Sequence, residues 1–159
     1  MLRQKLGRIV LTTVLVDTGL VSTIVDWNSS HLFNPTWPPH ARFHDVAMLN
    51  LLNGVCILAL WLMWRRSAEP EVGVRVAALI PIIFWGAFFY TTILIPGTSL
   101  KATADEFVPS LAGFPLYPNV IVASINVVLS ALGYWLYRSG STLVTNQSEV
   151  TNSSESVRG

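Results

Sequence analysis

Residues 46–66 read VAMLNLLNGVCILALWLMWRR. From Val46 to Trp64 no side chain carries a charge, and the run has the ~20-residue length that an α-helix needs to cross the hydrocarbon core of a bilayer. It stops at Arg65 and Arg66, cations that belong in water. Three more runs repeat the pattern. One covers 9–26 and is interrupted by Asp17. Another covers 76–95, with Pro81 inside it and Pro96-Gly97 closing it, and the last covers 119–137 and is stopped by Arg138. A proline within a membrane helix is tolerated when neighbouring groups satisfy the carbonyl it leaves open.

Composition agrees. Charged residues make up 12% of the chain and hydrophobic ones 52%, whereas a soluble domain carries about 25% charged residues. Such a chain cannot cover a globular core with polar surface. A net charge of +1 gives no case for nucleic acid, and the single Cys56 rules out a disulfide framework. The expected fold is an all-α membrane protein, a four-transmembrane-helix bundle with spans of about 9–26, 45–64, 76–95 and 119–137. Residues 1–138 form the membrane domain. The Ser/Thr/Asn/Glu-rich stretch 139–159 lacks an apolar face and reads as a disordered tail.

Met1 to Arg8 carries three cations and resembles the start of a signal peptide, but Asp17 interrupts the apolar part and no small-x-small site precedes Asp26. A retained first helix is expected. Orientation follows from the basic residues near span ends. Arg3, Lys5, Arg8, Arg65, Arg66, Arg75, Arg138 and Arg158 fall on one side, and only Arg42 and Lys101 on the other. Both termini are therefore expected in the cytoplasm, with the Pro/His/Trp-rich first loop outside. The expected setting is a plasma or inner membrane, or the endoplasmic reticulum in a eukaryote.

The first outer loop holds all three histidines. Its motif runs His31-x-x-Asn34-Pro35-x-Trp37-Pro38-Pro39-His40-Ala41-Arg42-Phe43-His44. The prolines keep the middle extended and bar a helix through it. This motif resembles the signature of a family of small four-span membrane proteins of unknown function. The resemblance implies the four-span architecture and an important loop, and no activity.

Two constellations can carry chemistry. His40 and His44, four apart at the start of the second helix, share a face if that helix begins by His40. With Asp45, and with His31 folding back, they form a candidate metal set for zinc, iron or copper. Asp26, Asp105 and Glu106 are alternative carboxylates on the same rim. The plainer reading is that the histidines bond carbonyls left open by the prolines. The second constellation lies at mid-span. Asp17 is an ionisable residue at membrane depth, which points to function. Counting residues places Asn53 and Asn126 at similar depth, with Asn50 one turn from Asn53 and Tyr90 nearer the rim. These residues are a candidate ligand cavity, with Trp85 as its aromatic wall. Asparagines also serve as packing bonds between membrane helices. His44 and Asn53 are nine residues apart, about 180° around a helix, so they cannot face one narrow cavity.

Three function classes follow. The first is a small membrane enzyme for a lipophilic small molecule, with His40 and His44 as acid/base or metal ligands and Asp17 as the buried carboxylate. The second is a proton or metal transporter component, for which four helices leave little lumen unless a homo-oligomer supplies one. The third is a non-catalytic membrane subunit that docks a partner.

Overall fold

The structure, a computed structural model, describes residues 2–101, 103 and 106–156, the side chains of 141–156 excepted. Five α-helices are present: α1 (Leu2–Asp26), α2 (Pro39–Trp64), α3 (Pro70–Gly86), the short α4 (Thr91–Leu94) and α5 (Pro118–Ser156). A 3-10 turn, Ala87–Phe89, extends α3. The loop between α4 and α5 contains a two-stranded antiparallel ladder, β1 (Ser110–Leu111) with β2 (Phe114–Pro115), in which Ser110 faces Pro115. Ala112 and Gly113 take positive φ in the turn between them, the conformation that a two-residue hairpin connection requires.

Four stretches are long and apolar enough to cross a membrane: Leu2–Asp26, Pro39–Trp64, Pro70–Phe89 and Pro118–Gly140. They begin earlier than the hydropathy runs, and the reason is local. Pro39 and Pro70 stand in the first turns of α2 and α3, where a missing N–H costs nothing and a fixed φ favours the helix. Of the charges between the second and third hydropathy runs, Glu71 and Arg75 are helical and bond across one turn, Arg75 donating to Glu71 at 3.1 Å, while Glu69 stands just before α3. The third helix ends at Gly86, and a 3-10 turn and α4 follow where the apolar run continues to Ile95. The backbone of α5 stays helical through Ser156; most of the 139–159 tail lies outside the described side chains.

The core is made by Leu11 and Leu15 of α1, Leu52, Ala59 and Met63 of α2, and Val74 and Ala77 of α3. Large apolar side chains such as Ile24, Leu51, Ile57, Ile83 and Val128 point outward. In water that surface would drive aggregation; in a bilayer it is the required exterior. The tryptophans fit the same frame, for Trp27, Trp61, Trp64 and Trp135 are all half exposed near helix ends, where aromatic belts sit.

One helix organises the polar contacts of the bundle. Asp17 of α1 accepts from Asn126 Nδ2 of α5 at 2.9 Å, Thr18 Oγ1 accepts from Trp85 Nε1 of α3 at 2.9 Å, and Thr23 Oγ1 accepts from Asn53 Nδ2 of α2 at 2.9 Å. These three α1 positions lie about 100–140° apart at 3.6 residues per turn, so α1 bonds each other spanning helix from a different side. Hydrogen bonds of this kind between membrane helices are worth about 0.6–2 kcal/mol each.

Candidate functional site

The first loop folds through its own polar side chains. Asn34 Oδ1 accepts from Thr36 N at 3.0 Å and Thr36 Oγ1 at 2.8 Å, the Asx geometry that suits a turn into proline. Arg42 Nη2 donates to Asn34 O at 2.7 Å and ties the loop to α2. Leu32 is buried beneath it. Asn34 and Arg42 thus shape the motif.

His31 sits in a more informative setting. Ser30 Oγ lies 2.6 Å from Asn28 Oδ1 and 2.8 Å from His31 Nδ1. An amide oxygen can only accept, so the one hydroxyl proton of Ser30 goes to Asn28. Ser30 must then accept from His31 Nδ1–H. A neutral His31 therefore carries its lone pair on Nε2, the nitrogen nearest Asp26, whose Oδ1 is 3.9 Å away. Trp37 meets the imidazole edge-on at a centroid distance of 5.9 Å. Asp45 stands within electrostatic reach of both Asp26 and His31, and its Oδ2 is buried with no hydrogen-bond partner.

Asp26 and His31 open onto a cavity of about 260 Å³ between the C-terminal ends of α1 and α3, the N-terminal end of α5 and the loop that precedes α5. Phe84, Trp85 and Phe88 supply an aromatic lining, and Glu106 is its second carboxylate. The three rings pack as one unit, with Phe84 and Phe88 5.0 and 5.2 Å from Trp85. Ser22 also lines it. Its side chain is buried, 7% exposed, and its Oγ has no partner. A buried hydroxyl without a partner costs about 1–3 kcal/mol, a cost that a polar group on a bound molecule removes. Apolar walls with a few convergent polar groups are the usual composition of a small-molecule site.

The other expected site residues are distributed differently. His40 and His44 do share a face of α2, with Nε2 atoms 2.9 Å apart, but both are exposed and neither contacts His31 among the described interactions. Among the described residues no group of three or more His, Cys, Asp or Glu stands close enough to hold a metal ion. The set His31, His40, His44 and Asp45 is not assembled, because Ser30 turns His31 toward Asp26 while the α2 pair faces outward. Asp105 lies outside the described residues. Of the mid-span group, Asp17 and Asn126 meet, one turn below the cavity-lining Val21 and Val122. Asn53 faces α1, opposite to His44. Asn50 is exposed and bonds its own helix at Val46 O. Tyr90 is exposed beyond the 3-10 turn. Only Trp85 reaches the cavity, and it is 4% exposed.

Ser22 and the Asn28–Ser30 pair are positions of the candidate site that sequence reasoning missed; nothing distinguishes them from other loop and helix polar residues before the fold is known. Trp85 also fixes the cavity wall through its bond to Thr18. Trp85→Phe is expected to lower stability by about 1 kcal/mol, read as a lower midpoint in a denaturing-detergent titration, because Thr18 keeps a buried oxygen with no donor.

The chain matches no curated protein and no solved structure. Residues 9–144, which take in most of the four spanning helices and the loops between them, match a family description, and the chain belongs to that family of unknown function (DUF6640).

Proposed function

We propose that this multi-pass membrane protein is a small membrane enzyme that binds a lipophilic molecule in the outer cavity and acts on its polar end through His31. The observation that carries this reading is the pairing, in one cavity, of an aromatic wall with an imidazole whose Nε2 is free to take a proton. The Asn28–Ser30 chain holds the ring and its tautomer, as an orienting partner does for a catalytic histidine. Asp26 stabilises the imidazolium once it forms. A ligand hydroxyl or acidic C–H seated at Nε2 gives up its proton there, and the apolar body rests on Trp85 and Phe88. The cavity lies at the end opposite the basic rim, so a substrate reaches it from the outer leaflet of a plasma, inner or endoplasmic reticulum membrane, with both termini in the cytoplasm.

The test is mass spectrometry of small molecules extracted from the purified protein. Wild type is expected to carry a lipophile, partly converted. His31→Ala is expected to retain the same molecule in one unconverted form. Equal profiles from wild type and His31→Ala would overturn the catalytic role, and no bound lipophile in either would overturn the site.

The exposed His40–His44 pair supports a second reading, capture of zinc, iron or copper with two further ligands from outside the chain. Metal that co-purifies with wild type and not with His40→Ala/His44→Ala would favour it over the enzyme reading.

A further inference from the structure

The opposite end of the bundle holds a cation that pairs with no anion among the described residues. Arg8 of α1 lies between two rings, its guanidinium carbon 5.7 Å from the centre of Trp64 of α2 and 5.5 Å from that of Tyr137 of α5. Trp64 is held in this position, for its Nε1–H donates to Thr12 Oγ1 at 3.0 Å. The rings offer the guanidinium their faces but no hydrogen-bond acceptor. Arg8 Nε is buried and unpartnered.

Glu71 serves other groups, and Glu69 lies along the adjoining groove with Gln4, Pro70 and Tyr137. Glu71 accepts from Arg75 at 3.1 Å and from Tyr134 Oη at 3.0 Å. Neither ion pair among the described residues involves Arg8 or Lys5. Lys5, three residues before Arg8, is on the same side of α1. Lys5, Arg8, Trp64 and Tyr137, with Gln4 and Pro70, line an open groove of about 320 Å³. Its chemistry is that of a site for a tetrahedral oxyanion: a planar fork already oriented, a second mobile cation, and aromatic sides.

Position identifies the source of that oxyanion. Arg8 is 18 residues from Asp26 along α1, about 27 Å at 1.5 Å per residue, close to the thickness of the hydrocarbon core. The groove therefore opens at headgroup level. Ile9, one turn deeper than Lys5, is exposed and continues the path into the apolar zone. Basic pockets between membrane helices at this level suit anionic headgroups, and a fork beats a point charge for a phosphate.

We propose that this groove binds the phosphate of an anionic phospholipid, with Arg8 as the fork, Lys5 as the second cation and the acyl chains along Ile9 and Trp64. The site is independent of the outer cavity. It places one lipid across the contact of α1, α2 and α5 and so clamps the three helices at their basic end.

The test uses the full chain in detergent, with bound lipid counted by native mass spectrometry after addition of phosphatidylglycerol or phosphatidylcholine. Wild type is expected to retain phosphatidylglycerol about tenfold better, because both lipids offer a phosphate but phosphatidylcholine brings a quaternary ammonium up against Arg8 and Lys5. Lys5→Gln leaves the Arg8 stack untouched and is expected to lose most of that preference. Arg8→Lys keeps the charge without the fork and is expected to lose it as well, while Lys101→Gln at the other end retains it. Equal retention of the two lipids by wild type would overturn the proposal, as would an unchanged preference in both Lys5→Gln and Arg8→Lys. If inorganic phosphate displaces phosphatidylglycerol at millimolar concentration, the groove is a free-phosphate site and the lipid assignment falls.

Discussion

Gly7→Ala is expected to be among the most damaging single substitutions in the chain, costing about 2–3 kcal/mol although it adds one methyl group. A Cβ at Gly7 would lie 2.5 Å from Gly133 O and 2.8 Å from Tyr137 N. Both are backbone atoms of α5, which cannot turn aside as a flexible side chain can. The closeness is mutual: a Cβ at Gly133 would meet Leu11 Cγ at 2.8 Å and Gly7 O at 3.2 Å, and one at Gly140 would meet Gln4. Membrane helices gain no hydrophobic force from one another, so they hold together by van der Waals approach through small residues. Overpacking such a contact typically costs 1–3 kcal/mol. Gly54 provides the control. A Cβ there meets nothing within 4 Å, so Gly54→Ala is expected to stabilise α2 by up to about 1 kcal/mol through helix propensity. Titration with denaturing detergent measures both. Equal midpoints for the two variants would mean that α1 and α5 do not meet at their glycines.

The second large effect concerns Asp17. Asn126→Leu is expected to cost about 2–3 kcal/mol, because it deletes the donor of a hydrogen bond to a carboxylate at membrane depth. Asp17→Asn keeps an acceptor for Asn126 Nδ2 and is expected to cost less than about 1 kcal/mol. The pair Asp17→Leu with Asn126→Leu removes both partners and is expected to be milder than Asn126→Leu alone, since no polar group is left stranded. The mutant cycle gives the coupling directly. It also separates two roles for Asp17. If Asp17 serves only to join α1 to α5, the double variant retains the bound lipophile in the same ratio of forms as wild type. A stable double variant with an altered ratio would assign Asp17 to the chemistry.

The four spans were legible because a bilayer demands long uncharged runs and little else in this chain meets that demand. Their ends were not. Pro39 and Pro70 read as loop residues until they are seen in the first turns of α2 and α3, and Glu71 and Arg75 read as connector until they are seen bonded across a helical turn. Depth was also legible, since Asp17 and Asn126 could be matched by counting from the rim. Direction was harder. Asn50 and Asn53 lie about 60° apart around α2 at 3.6 residues per turn, which is enough to send one to α1 and the other outward. Tyr90 was placed on a helix that ends at Gly86. The loop misled most. His40 and His44 have the spacing of a pair and form one, but His31 follows Ser30 and Asn28, and hydrogen bonds among loop neighbours leave no periodic trace in sequence.

The central claim is that the outer cavity, and not the lipid-facing surface, holds a particular lipophile. Placing the photoreactive p-benzoylphenylalanine at Phe88, which lines the cavity, and separately at Ile83, which is 69% exposed on the outside of α3, tests it directly. After irradiation of membranes, the account predicts that position 88 captures one small lipophile that position 83 does not, while position 83 captures bulk phospholipid. The same mixture of phospholipids at both positions would contradict it.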